Sequence, residues 1–163
     1  MKFYIKQKVF SLKDQFSVMD EQQNEVFQVQ GKMFSFANKL DLKTRDDQVV
    51  LHAKKQVFSF MPKYFILTPQ EEQIALVQRK FGFRPKFVVQ ALGREFTVEG
   101  TFFGHAFGVF DGNEEVASIS KKVISWGDTY EIDIRYEQNI PLFLFIVIII
   151  DQVIHEQKRR NYN

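Results

Sequence analysis

Eight basic residues fall in four close pairs: Lys54/Lys55, Arg79/Lys80, Arg84/Lys86 and Lys121/Lys122. Cations grouped this way hold phosphates and carboxylates, arginine as a planar fork and lysine as a point charge. Brought onto one face, they would form a patch for anionic phospholipid headgroups, with Phe81 and Phe83 beside them to dip into the membrane interface. The plainer reading is that each lysine ends a hairpin strand and keeps its edge soluble. Convergence is a matter of three dimensions, and the sequence leaves both readings open. The histidines point to less. His52, His105 and His155 stand 105 − 52 = 53 and 155 − 105 = 50 residues apart and share no local motif with a carboxylate. A base, a nucleophile and an orienting group would have to be assembled by folding. There is no Walker or GxGxxG pattern to cradle phosphate and no Cys for thiol chemistry or zinc. The expectation is a non-enzymatic protein with no cofactor and no metal. The remaining polar residue of interest is Asp151, set in an apolar run, where a carboxylate must be paired, hydrogen-bonded or protonated.

The chain that must position these groups has 163 residues, 45% of them hydrophobic and 26% charged, which fits one globular domain over residues 1–163. Its 19 Phe point to a thick core or to many aromatic-rich strands. The net charge of +2 is too small to argue for bulk binding to nucleic acid or membrane. Lysines at positions 2, 6 and 8 interrupt the first ten residues, so no export signal is read there. With no Cys, the chain suits a reducing compartment, and a cytoplasmic location is expected, peripheral to the membrane if lipid is the ligand.

Before residue 138 the pattern is one of short alternating runs. Phe3, Ile5 and Val9 alternate with polar residues, as do Tyr130, Ile132 and Ile134. Turn signals punctuate the runs: "DEQQNE" at 20–25, "RDDQ" at 45–48, "TPQEEQ" at 68–73 and "DGNEE" at 111–115. This rhythm predicts an antiparallel all-β domain of about ten to twelve strands. The hairpins also repeat. "EVFQVQGKMFSFANKLDLKTR" from Glu25 aligns without a gap to "EVASISKKVISWGDTYEIDIR" from Glu115, an offset of 115 − 25 = 90. Looser copies stand at 54–67 and 79–91. In each, a basic residue leads to Ser or Gly and then Phe or Trp. That step reads as a bend or bulge with its aromatic residue facing inward. "GTFFGHAFG" at 100–108 reads as two short strands and a bend, its Phe residues in the core.

The closing segment differs. Positions 142–150 are apolar throughout, fewer than the roughly 20 residues that span a bilayer, and Asp151 and Gln152 interrupt them. No transmembrane span is read. Asn139 as N-cap, Pro141 in the first turn, the spacing of Ile150, Val153 and Ile154, and the basic residues 158–160 predict a helix over about 140–157. A helix apolar on every side must be buried on every side. A closed barrel wide enough to hold it completes both halves of the pattern.

At this point "VFQVQGKMFSFANKLDL", "KKQVFSFMPKYFIL", "KFGFRPKF", "EVASISKKVISWGDTYEIDI" and the apolar run ending in Asp151 resemble the LURP-one-related family, of the tubby C-terminal-like superfamily that also includes phospholipid scramblases. The resemblance covers about residues 3–155. It implies a closed, twelve-stranded β-barrel around a hydrophobic C-terminal helix. Tubby-like relatives bind phosphoinositide headgroups through basic residues on the barrel, and scramblases act at membranes. This chain lacks the Cys-rich and calcium-binding segments of scramblases. Four functions are ranked on the sequence: a scaffold or protein-interaction module, then anionic-lipid binding, then nucleic-acid binding, then catalysis.

Overall fold

The computed structural model describes residues 1–6, 15–32, 39–56, 60–82, 86–101, 106–124 and 127–161. Twelve strands run in sequence: β1 (Lys2–Lys6), β2 (Gln15–Met19), β3 (Glu25–Lys32), β4 (Lys39–Thr44), β5 (Val49–Lys55), β6 (Lys63–Leu67), β7 (Gln73–Lys80), β8 (Lys86–Ala91), β9 (Arg94–Thr101), β10 (Ala106–Asp111), β11 (Glu114–Ile124) and β12 (Gly127–Ile134). Each pairs with its neighbour in the chain, and β1 closes the barrel against β12. At that seam Phe3 faces Ile132 and Ile5 faces Tyr130. The Ile134 amide donates to Met1 O at 2.8 Å, and the Met1 ammonium donates to Ile134 O at 2.6 Å. Every strand is antiparallel to both neighbours, and closure leaves no edge exposed, as the alternating runs and tight turns predict.

Alternation sorts the side chains. Val29, Leu40, Leu42, Ala53, Ile66, Val77, Val89, Phe96, Val109, Ile119 and Ile132 face inward and are buried. Gly31 keeps its strand close to β4. Its φ of +115° excludes most side chains, and a Cβ there would meet Lys39 O at 2.6 Å.

A 3-10 turn, Glu137–Asn139, leads into α1 (Ile140–Asn161), about 33 Å long at 1.5 Å per residue. The helix outruns the predicted 140–157, because residues 158–161 extend it further at a basic C-terminus that favours the helix dipole. It runs along the barrel axis. Positions 142–150 are between 0% and 2% exposed on all sides, so barrel walls, not lipid, enclose the run. Phe143 packs edge-on against Phe96 at 5.3 Å and beside Tyr136 at 5.1 Å, at the end where β12 delivers the chain to the helix.

Several turns at that end are held by carboxylates. Ser17 Oγ donates to Glu25 Oε2, Gln28 Nε2 donates to Oε1 at 2.6 Å, and these bonds hold the Glu25 carboxyl below its ordinary range against the opposing effect of burial. A carboxylate whose folded pKa is lowered adds stability above its unfolded pKa and loses it as pH falls through the folded one. Glu25→Gln is therefore expected to flatten the acid limb of a Tm–pH profile below about pH 4, the ordinary Glu range. The effect should be small, since solvent screens the site. An unchanged acid limb would remove Glu25 from the account.

Candidate functional site

In a barrel of sequential antiparallel strands, the C-terminal ends of odd strands and the N-terminal ends of even strands share one end. Here Lys6, Lys32, Lys55 and Lys80 close β1, β3, β5 and β7, while Lys39, Lys63 and Lys86 open β4, β6 and β8. Lys121 and Lys122 lie near the end of β11 at the same end. Residues 158–160, Lys-Arg-Arg, continue α1 in that direction, about 10–14 Å beyond Asp151 at the helical rise. The opposite end carries acidic turns, with Asp20 and Glu21, Asp46 and Asp47, Glu71 and Glu72, and Asp111 and Glu114 at or beside them. The barrel is thus polarised along its axis.

Within the predicted pairs Lys54/Lys55, Arg79/Lys80 and Lys121/Lys122 the two residues do not share a face. Adjacent strand residues face opposite ways. Lys55, Arg79 and Lys121 share the inward parity of Ala53, Val77 and Ile119, whereas Lys54, Lys80 and Lys122 face outward. The mouth therefore has an inner and an outer set of cations. Arg79 is half-buried, its amide donates to Pro62 O at 3.1 Å, and its Nε is buried with no hydrogen bond. Lys54 is committed to the outer wall through an ion pair with Glu71, whose carboxyl that hydrogen bond lowers. Arg84 lies outside the described residues.

The outer set includes an arrangement that costs stability. Lys80 and Lys86 stand directly opposite each other across β7 and β8. Both are exposed, Lys80 Nζ reaches only Gln78 Oε1 at 3.4 Å, and neither has a salt bridge among the described residues. Lys39 likewise faces Lys54 across β4 and β5, with Asp41 3.9 Å from Lys39 Nζ. Like charges directly opposed are destabilising in the absence of a shared anion.

Sequence reasoning missed two features. Phe60 belongs to one of the Ser-aromatic steps expected to face inward, yet it is 98% exposed, a correction to that reading. Phe60 falls between β5 and β6, beyond the walls, where there is no core for the ring to enter. The corresponding Phe36, Phe83 and Trp126 lie outside the described residues. The second feature is cross-strand. His52 Nδ1 is 2.6 Å from Asp41 Oδ1, because Asp41 and His52 are register partners on β4 and β5. Only a fixed register makes them neighbours. The pair sits on the outer wall with Lys39, Lys54 and Glu71, and fixes the imidazole there. His105 and the His155 side chain lie outside those described. Among the described residues no group of three or more His, Cys, Asp or Glu is gathered.

Asp151 is buried, 7% exposed, and α1 has not left the barrel there, since Val153 and Ile154 are still 2% and 3% exposed. The carboxylate borders a cavity of about 20 Å³ lined by Ile5, Phe16, Ile119, Tyr130 and Ile148, a volume that admits one water.

A closed antiparallel barrel wound around its own C-terminal helix, with one basic mouth, defines the class. The chain belongs to the LURP-one-related family, whose profile matches residues 1–151. It is 29% identical over 158 residues to "Uncharacterized protein YxjI" of Bacillus subtilis (strain 168), covering 97% of this chain and 96% of that one. An X-ray structure of an Arabidopsis thaliana protein superposes with a TM-score of 0.60 at 16% identity, over 92% of this chain and 89% of that one, and shares the fold.

Proposed function

We propose that this protein is a non-enzymatic module that docks on anionic phospholipid surfaces through the basic end of its barrel. The observation that carries the reading is the opposed, exposed Lys80 and Lys86, set in an end where seven strands begin or finish on lysine. An anionic surface relieves that repulsion. The small net charge of +2 is no obstacle. Eight-residue strands such as β7 extend about 26 Å, and screening acts over about 8 Å at physiological salt, so the acidic end leaves Lys80 and Lys86 uncancelled, although Glu71 takes up Lys54 in an ion pair. The resemblance to tubby-like headgroup binders agrees with this reading, which places the protein at the cytoplasmic face of a membrane as a peripheral component.

Vesicle flotation tests it. Binding is expected to vesicles rich in anionic phospholipid at roughly 0.1 M salt, to fall steeply by about 0.5 M, and to be absent with neutral phosphatidylcholine alone. Failure to float with anionic vesicles at low salt would refute the proposal and favour the scaffold or protein-interaction reading that the sequence ranks first.

A further inference from the structure

Two phenylalanines at the basic end have no place in the core. Phe60 is 98% exposed and Phe81 is 83% exposed. Their connections are adjacent, one between β5 and β6 and the other between β7 and β8, and β6 pairs with β7. The Arg79 amide bonds Pro62 O at 3.1 Å, tying the base of one connection to the other. Lys63, Lys80 and Lys86 stand on the strands that frame them. The other large hydrophobics exposed among the described residues are Met1 and Leu92, at the acidic end.

Water gives no reason to keep two bare rings on neighbouring projections. A bilayer does: its interface takes up aromatic rings, while the phosphates above it meet the lysines around them. Resting on the reading of the basic end as a lipid-docking face, we infer that Phe60 and Phe81 form an insertion wedge that enters the interfacial region of an anionic bilayer. The wedge makes the β5–β8 sector the leading edge of the docked barrel. The lysines select the surface by charge, and the rings hold the protein there once it has arrived. The two contributions separate by salt, because ring burial is not screened.

The test pairs vesicle binding with a soluble anion. Phe60→Ala/Phe81→Ala is expected to bind vesicles of phosphatidylcholine with anionic phosphatidylserine about a hundredfold more weakly, roughly tenfold per ring. Its affinity for inositol hexakisphosphate should be unchanged, because the cations remain. A Phe60→Trp variant in a Trp126→Phe background should shift its emission to the blue with anionic vesicles and be quenched by lipids brominated high on the acyl chain. Vesicle binding that survives the double alanine change, or an unquenched Trp, overturns the wedge and leaves charge-only docking standing. Equal losses for vesicles and hexakisphosphate overturn it too, since the rings would then be shaping the cation site. If the unaltered protein binds hexakisphosphate but no vesicle, or binds neither, the docking reading and the wedge fall together.

Discussion

Val147→Asp should leave the chain without a folded barrel. Val147 is fully buried midway along the enclosed part of α1. Removing its side chain from the core forfeits about 1.5–3 kcal/mol of burial. Placing a carboxylate there without a partner costs several kcal/mol more. Natural domains have a total stability of about 5–15 kcal/mol, and this helix is not one layer among several. Every strand of the barrel turns its buried face toward it. The expected result is loss of the cooperative thermal transition and of near-ultraviolet circular dichroism. Ending the chain after Asn139 should have the same effect, because it empties the barrel. A Val147→Asp protein that melts within a few degrees of the unaltered one would contradict the enclosed helix.

The second large effect runs in opposite directions for stability and binding. Lys86→Glu places a carboxylate across from Lys80, converting an opposed like-charge pair into an ion pair. Cross-strand pairs differ by about 0.2–1 kcal/mol, so Tm is expected to rise by roughly 1–3 °C. Adding Lys63→Glu, on the strand paired with β7, should all but abolish docking. Each cation near an anionic surface contributes about 1 kcal/mol, so two reversals remove about 4 kcal/mol, or roughly a thousandfold in affinity. Arg45→Glu/Arg94→Glu makes the same change in net charge at the acidic end and should leave docking intact. If the two double variants bind equally well, the location of the charge is irrelevant and the basic end is not the docking face. A protein that loses both stability and binding on Lys86→Glu would show that the Lys80–Lys86 opposition is not a strain that an anion relieves.

Much of this geometry was legible before any coordinates. The alternation in 1–9 and 130–135, the regular turns and the apolar run 142–150 lead to a closed barrel around a helix, because each piece has a buried face that only the other can cover. Even the polarity was within reach. The turns at 20–25, 45–48, 68–73 and 111–115 are acidic, each precedes an odd-numbered strand, and alternate turns of an up-and-down barrel lie at the same end. The basic repeats at 54–67 and 79–91 fall between them, and so at the other end. What could not be read was register and depth. The contact between Asp41 and His52 depends on a bulge between Leu42 and Lys43 that sets their pairing. Whether Phe60 entered the core depended on where β5 and β6 stop, and strand ends carry the weakest local signal. Asp151 stays inside because residues up to Ile154 are still walled in, a matter of barrel height rather than helix pattern.

The most direct test of docking through the basic end is amide hydrogen exchange, segment by segment, with and without anionic vesicles at low salt. Docking through the basic end requires slowed exchange in 60–64, 79–82 and 86–88, and no change in the turns at 21–24, 45–48 and 69–72. Protection at the acidic turns, or equal protection at both ends, would contradict it.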